Sequence, residues 1–411
     1  MQYGLSAEKL NSLDLSLLKD KVAEEQITRD RLQQAGFSGD VISSVLENEA
    51  WEEEQPIDEG PKGNPYSPDN PIIDGIIRRE VSVKDIQDAL LNGEVTTKQL
   101  REQCFLTDEL IKRIETYQAK QMSPIDFDKL PPIKKDRTDF YFLGLPSAGK
   151  TCLIASLISH WMKQGICNPE VNNKRSVEYF RILGGGFSQG ILPMSNPNSF
   201  IDYIELTLKV TRSEKRFLGL CSSREVVYDI PINLLDMAGE KFRRVADDGR
   251  ENFDKHRDYL LNDNPKSIFF VLDYSVDKRG GSTFDQSLSL QVVLNSLEEM
   301  KILEHTDSIY LVVSKADLFP TSLGQTADYA RKYVDESYKG FKNRLLELEA
   351  RYEFEWDIIP YSIGDCMFGQ LLTDYKMENN PQLRQFPEQL NQRIQDVTAK
   401  YRSGLSGLFT N

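Results

Sequence analysis

Histidine is scarce and cysteine is sparse, with three histidines and five cysteines in 411 residues. His160, His256 and His305 stand far apart, which disfavours a histidine-based catalytic centre or a zinc site. An odd number of scattered cysteines suits a reducing compartment and no disulfide framework. Positive charge is also short: 50 Lys and Arg face 64 Asp and Glu, a net charge of −14. Nucleic-acid binding needs clustered positive potential, so that class is disfavoured. The run Arg212-Ser213-Glu214-Lys215-Arg216 is short and reads as a solvated hairpin tip. Apolar runs reach strand length only, and the N-terminus shows no basic-then-apolar signal. The expectation is a cytoplasmic chain without membrane insertion.

The first third also lacks strand-like apolar runs and glycine-rich loops. It reads as short amphipathic helices with an internal repeat at an offset of 68 residues. Leu18, Asp20, Val22, Ile27, Thr28, Leu32, Phe37, Asp40, Ile42 and Leu46 match Ile86, Asp88, Leu90, Val95, Thr96, Leu100, Phe105, Asp108, Leu110 and Ile114. Five of these ten pairs are identical and the rest exchange one apolar residue for another. Thr28 and Thr96 stand where helix N-caps belong, as do Ser38 and Thr107. Each module is expected to hold three short helices around a core centred on Phe37 or Phe105. Units this small need packing on another body for stability. Between them, Glu47–Glu59 carries seven acidic residues and no basic one, followed by a Pro-, Gly- and Asn-rich run, a linker composition. The division is module 1 at 1–49, linker at 50–80, module 2 at 81–122, a second linker at 123–137, an α/β domain at 138–403 and a tail at 404–411.

What the remainder does contain is phosphate chemistry. Residues 144–151 read GLPSAGKT, between an aromatic, apolar strand (Phe140-Tyr141-Phe142-Leu143) and an apolar helix start at Cys152. A G-x-x-x-x-G-K-(S/T) loop wraps phosphates with backbone N–H groups, here those around Gly144, Ser147, Ala148, Gly149 and Cys152. Its lysine, Lys150, reaches the β- and γ-phosphates, and its hydroxyl, Thr151, ligates Mg²⁺. The helix dipole favours the same anion.

A second motif, Asp236-Met237-Ala238-Gly239, ends the strand-like run 226–235. Asp236 can hold the Mg²⁺ shell through water, and the Gly239 N–H can bond a γ-phosphate present only before hydrolysis. The third is Ser314-Lys315-Ala316-Asp317, after the apolar run 309–313. It varies the (N/T)-K-x-D guanine-reading pattern. The Lys315 stem can lie along a purine face while Asp317 accepts from guanine N1–H and N2–H₂. Adenine lacks those donors, and the carboxylate left without them costs on the order of several kcal/mol. Ser314 keeps a hydroxyl for bracing the phosphate loop. After a sixth apolar strand, Ser362-Ile363-Gly364 can supply a backbone N–H to guanine O6.

These motifs occur in this order, each at the C-terminal end of an apolar strand, where open α/β sheets bind ligands. Together they resemble the Ras-like branch of P-loop GTPases, the translation-factor-related (TRAFAC) class, over about two thirds of the chain. The proline in GLPSAGKT is similar to the loops of the Era and Obg groups. The run D-M-A-G-E-K-F is similar to a bacterial set of Ras-like GTPases from conflict-system gene clusters, including double-GTPase systems. The resemblance implies a doubly wound, mostly parallel α/β sheet of six strands with one antiparallel edge strand, preceded by all-α modules. The strands are read at 139–143, 200–210, 226–235, 267–273, 308–313 and 356–361, with a hairpin at 211–224 and helices at 283–303 and 325–352.

The resemblance frays at switch I, where the family uses a threonine on Mg²⁺. The stretch 168–198 has none, so Ser195 is the candidate ligand, with Ser199 beside it, or the segment is a flexible insertion meeting a partner. Glu240 stands where a water-orienting glutamine is usual. Either it polarises the water, or it turns outward and catalysis comes from elsewhere. Arg243 and Arg244 are arginine-finger candidates or surface charges of a switch helix. The expected protein is a bacterial, Mg²⁺-dependent GTP/GDP switch with slow hydrolysis. Its helical modules at 1–122 engage a protein partner, and homodimers could supply an arginine in trans. The alternatives are a scaffold that holds nucleotide without turnover and a P-loop ATPase.

Overall fold

A computed structural model describes residues 70–123, 125, 130–194, 201–214, 224–237, 260–277 and 282–406. The chain divides into two compact units, Met1–Val81 and Ser82–Asn411. In the first, α1 (Pro71–Arg78) is capped by Asn70, whose side chain accepts from the Ile72 and Ile73 N–H groups. A proline opening a helix suits its first turn, where the missing N–H is not needed. This helix falls within the stretch read as an acidic, Pro- and Gly-rich linker, whose Asn70 and Pro71 here form the helix start. Module 1 lies outside the described residues.

The second unit begins with three helices, α2 (Val83–Leu91), α3 (Thr97–Glu102) and α4 (Asp108–Glu115). Ser82, Thr96 and Thr107 cap them, the first two as full capping boxes with Asp85 and Gln99. Their core is Val83, Ile86, Ala89, Val95, Leu100, Leu106, Leu110, Ile111 and Ile114. Phe105 does not belong to it. It sits at φ +54° in the α3–α4 turn and is 81% exposed. The turn closes with the Leu106 N–H on the Leu100 carbonyl at 3.0 Å, so Leu106 fills the core and the expectation for Phe105 fails.

The sheet has seven strands: β1 (Thr138–Leu143), β2 (Cys167–Pro169), β3 (Ile201–Glu214), β4 (Arg224–Met237), β5 (Lys266–Asp273), β6 (Thr306–Ser314) and β7 (Glu355–Tyr361). Their order is β2-β3-β4-β1-β5-β6-β7. The five strands from β4 to β7 in that order are parallel, while β3 runs antiparallel to β4 and β2 to β3. Six strands were expected, with the antiparallel one at the edge. The three-residue β2, within a polar stretch, adds the true edge and moves β3 inward. β1 and β5 are buried throughout, as a parallel sheet covered on both faces requires. Phe142 stacks on Phe269 at 4.5 Å and Phe269 on Tyr310 at 5.0 Å, a ladder across β1, β5 and β6.

Helices α5 (Lys150–Gln164), α6 (Lys174–Tyr179), α7 (Gly185–Ser188), α8 (Thr283–Glu299), α9 (Thr326–Ser337), α10 (Lys339–Tyr352) and α11 (Pro381–Ser406) complete the unit, with a hairpin of β8 (Cys366–Met367) and β9 (Leu371–Leu372). Two helices, broken at Tyr338, replace the single one expected at 325–352. α8 ends at Glu299, ahead of a separate 3₁₀ turn at Ile302–His305. α11 carries Pro387 yet buries Phe386, Leu390 and Ile394, an i, i+4, i+8 stripe. Among the described residues no helix is long and apolar enough to cross a membrane.

Candidate functional site

Because β1, β4, β5, β6 and β7 are parallel, their C-terminal ends lie along one edge of the sheet. Register places Phe142 beside Asp236, and Asp273 beside Ser314, itself beside Tyr361. The described residues of the three motifs therefore lie along that edge, on strands whose C-terminal halves are buried.

The loop after β1 turns at Gly144, where a Cβ would stand 2.6 Å from the Val271 carbonyl oxygen. Only glycine allows that approach to β5. Ser147 at φ +60° and Gly149 at φ +91° curl the loop back, and the Ala148 N–H bonds the Leu145 carbonyl at 3.3 Å. Gly149 then starts α5 with no side-chain cap, and the space where its Cβ would be is open. Lys150 folds back over the loop, its Nζ donating to the carbonyls of Gly144 (2.8 Å) and Leu145 (3.0 Å). Thr151 Oγ1 donates to Asp236 Oδ2 at 3.2 Å, joining loop and D-x-x-G strand. Burial pushes the Cys152 thiol up to about 12.

These groups fit a polyphosphate and Mg²⁺. The loop is open over an uncapped helix start, and the hydroxyl and carboxylate are hard oxygen ligands. Mg²⁺ commonly takes one or two protein oxygens and the rest from phosphate and water. Among the described residues no cluster of three or more His, Cys, Asp or Glu could hold a metal unaided.

The base-side residues meet at β6 and β7. Lys315 lies at φ +61°, and its Nζ pairs with Asp273 (2.9 Å) and donates to Ser275 Oγ at 2.8 Å. That fixes the stem across the end of β5. Asp317 is exposed at the rim, and Ser362 Oγ donates to its Oδ1 while accepting from the Gly364 N–H at 2.9 Å. Ile363 packs against the core between them. Contrary to expectation, the Ser314 hydroxyl does not brace the phosphate loop but donates to the Leu272 carbonyl at 3.0 Å, because its strand position points it at β5.

The stretch read as a flexible insertion or threonine-free switch is ordered across 168–194. Asn173 caps α6, a π-helical turn follows at Phe180–Gly184, and Tyr179, Phe180, Leu183 and Phe187 are buried. Ser195, Gly239, Glu240, Arg243 and Arg244 lie outside the described residues. Sequence reading missed Tyr179, whose hydroxyl donates to Asp236 Oδ2 at 2.9 Å. It also missed Arg175, bidentate on buried Asp202 at 2.6 and 2.8 Å, and Asp273. Burial and the Asp236 carboxylate push Asp202 up to about 7, with Arg175 pulling it back. Only the sheet register, setting Asp202 directly opposite Asp236, brings these charges together.

The helical module is joined to the chain after α7 and to the β8–β9 hairpin region. Arg113 donates to the carbonyls of Leu372 and Gly190, each at 2.8 Å, and lies over the Tyr375 ring at 4.5 Å. The Val83 N–H bonds Gln370 Oε1 at 2.9 Å.

No protein-family profile and no curated protein matches the chain. Solved structures that resemble it include a dimerization-deficient mutant of Toc33 from Arabidopsis thaliana, at 13% identity and a TM-score of 0.33, over 65% of this chain and 85% of that one. Another is a GTP-binding protein from the hyperthermophilic archaeon Sulfolobus solfataricus in complex with GDP, at 12% identity and a TM-score of 0.25, over 92% of this chain and 85% of the other. Both likenesses are too distant to speak for this chain.

Proposed function

We propose that the chain is a Mg²⁺-dependent GTP-binding switch that hydrolyses GTP slowly. The observation that carries the reading is the meeting of three chemically distinct groups on one sheet edge. These are the Lys150 loop over an uncapped helix, the Thr151–Asp236 oxygen pair, and the Asp317 carboxylate oriented by Ser362. A phosphate cradle alone would suit any nucleotide. The carboxylate at the far rim adds base selectivity, since guanine offers it two N–H donors and adenine none.

In this reading the backbone around Ser147–Cys152 binds the phosphates, and Lys150 leaves its two carbonyls to meet them. Thr151 and Asp236 hold Mg²⁺, which when bound screens phosphate charge. Lys315, fixed by Asp273, lies against the base, and Ile363 supplies an N–H at its edge. Gly239 senses the γ-phosphate. Glu240, Arg243 and Ser195 complete hydrolysis and the switch, and intrinsic turnover is slow where no arginine is supplied. Nucleotide state reaches a protein partner through the helical module, since Arg113 holds the Gly190 carbonyl within the 168–198 stretch. Pairing of two copies across the nucleotide would supply an arginine in trans. A second reading, a scaffold that holds nucleotide without turnover, draws on the lack of a threonine in 168–198.

Asp317→Asn tests the base assignment. Asparagine presents a donor where guanine needs an acceptor, so GDP affinity should fall by about a hundredfold while xanthosine diphosphate gains. Unchanged GDP affinity would remove Asp317 from the site, and multiple-turnover phosphate release separates enzyme from scaffold.

A further inference from the structure

The segment that should carry a metal-binding threonine carries a buried tyrosine on the metal-side carboxylate instead. Tyr179 is fully buried and donates to Asp236 Oδ2 at 2.9 Å, the oxygen that also takes the Thr151 hydroxyl. The contact is built from several directions. Arg175 and Tyr179 are four residues apart in α6, which sets them on one helix face. Asp202 and Asp236 are direct cross-strand partners, which sets them on one sheet face. Arg175 therefore takes Asp202 while Tyr179 takes Asp236. The helix is further sewn to β3 by Asn173 Nδ2 on Glu205 Oε1 (3.0 Å) and by the Glu205 N–H on Ser176 Oγ (2.8 Å). Two buried carboxylates directly opposite one another repel, and the bidentate arginine neutralises one of them. That leaves the other, oriented by a hydroxyl, facing the loop.

Resting on the GTP-binding reading above, we infer that Tyr179 is the positioning residue of the Asp236 carboxylate, and that the Lys174–Ser188 segment senses the metal–nucleotide state through it. Hydrogen bonds to a metal-ligating carboxylate fix its orientation, and their loss commonly costs ten- to a hundredfold in metal affinity. The route onward is physical. The π-helical turn Phe180–Gly184 directly follows Tyr179, a geometry frequent at functional sites. Beyond α7, Gly190 at φ +75° has its carbonyl held by Arg113, with no room for a Cβ beside the guanidinium. A shift of Tyr179 is thereby passed to a carbonyl gripped by the helical module.

The test is Tyr179→Phe in the full chain, which removes one hydroxyl and keeps the buried ring. A fluorescent GDP and a GTP analogue are titrated with and without Mg²⁺. The expected result is an Mg²⁺ half-saturation raised about tenfold, with affinity in EDTA unchanged, a split that loss of packing alone would not give. Hydrogen exchange on the wild-type chain needs no variant: protection across 174–190 should differ between Mg²⁺-free and Mg²⁺-loaded nucleotide. An Mg²⁺ dependence within twofold of wild type, or exchange at 174–190 indifferent to Mg²⁺, overturns the inference while GTP binding stands. Absence of any nucleotide binding by wild type removes the underlying reading and this inference with it.

Discussion

The two ends of the parallel strands both bury charge, and they do so in opposite ways. At the N-terminal end, Asp139 accepts four hydrogen bonds, from Tyr141, Asn233, Asn262 and Asn264, at 2.7 to 3.0 Å. Lys266, fully buried nearby, spends its amine on the carbonyls of Asn262 and Asn264. At the C-terminal end, Lys150 rests on two loop carbonyls, and Asp236 is shared between Thr151 and Tyr179 beside an open, uncapped helix start. The first cluster is closed by three amides and a phenol on a fully buried carboxylate. The second is made of contacts that a phosphate or a cation can replace. A polar network that holds a fold and one that awaits a ligand are told apart by what their members can exchange, since burial is the same for both.

The largest effect is expected at Asp139. Asp139→Ala removes the acceptor shared by four donors and should cost about 4 kcal/mol in denaturant unfolding, with nucleotide affinity of the folded protein intact. A loss below about 1 kcal/mol would mean the network is not structural. Lys150→Ala should behave in reverse: roughly a hundredfold loss of nucleotide affinity, about 3 kcal/mol, with unfolding changed by less than about 1 kcal/mol.

Lys266 sharpens the contrast through pH. Burial holds its amine down at about 8, against roughly 10.4 in the unfolded chain. Between these values the unfolded state binds more protons, so this lysine's contribution is present above the unfolded value and is lost as pH falls through about 8. Unfolding free energy of wild type minus that of Lys266→Met should rise from pH 8 to 9.5 by up to about 2 kcal/mol; a flat difference would refute it.

The smallest effect is expected at Phe105. Being exposed in a left-handed turn, it can become glycine with a change within about 1 kcal/mol. A core phenylalanine would cost about 3 to 5 kcal/mol on truncation, so thermal melting of Phe105→Gly decides between the turn and the repeat-derived core.

That last case shows where sequence stops. β1, β5 and β6 were legible because each is built on an apolar run, and the loop because its glycines, lysine and threonine are adjacent in the chain. Thr96 and Thr107 announced their caps locally. Phe105 misled because the repeat pattern marks which residues recur and says nothing of a turn that passes through positive φ. β2 escaped notice at three residues, and α11 because Pro387 reads as a breaker. The Arg175–Asp202 and Tyr179–Asp236 contacts span 27 and 57 residues, and Lys315–Asp273 spans 42. Nothing local encodes them; they exist because β3 and β4 pair in one register and because β5 and β6 end side by side.

The central claim is that this edge selects guanine nucleotides. Calorimetric titration of the purified, nucleotide-stripped protein with GDP, a non-hydrolysable GTP analogue and ATP, each with Mg²⁺, tests it directly. The account predicts both guanine nucleotides binding at least about a hundredfold more tightly than ATP. Equal or ATP-preferring binding, or no binding at all, would contradict it.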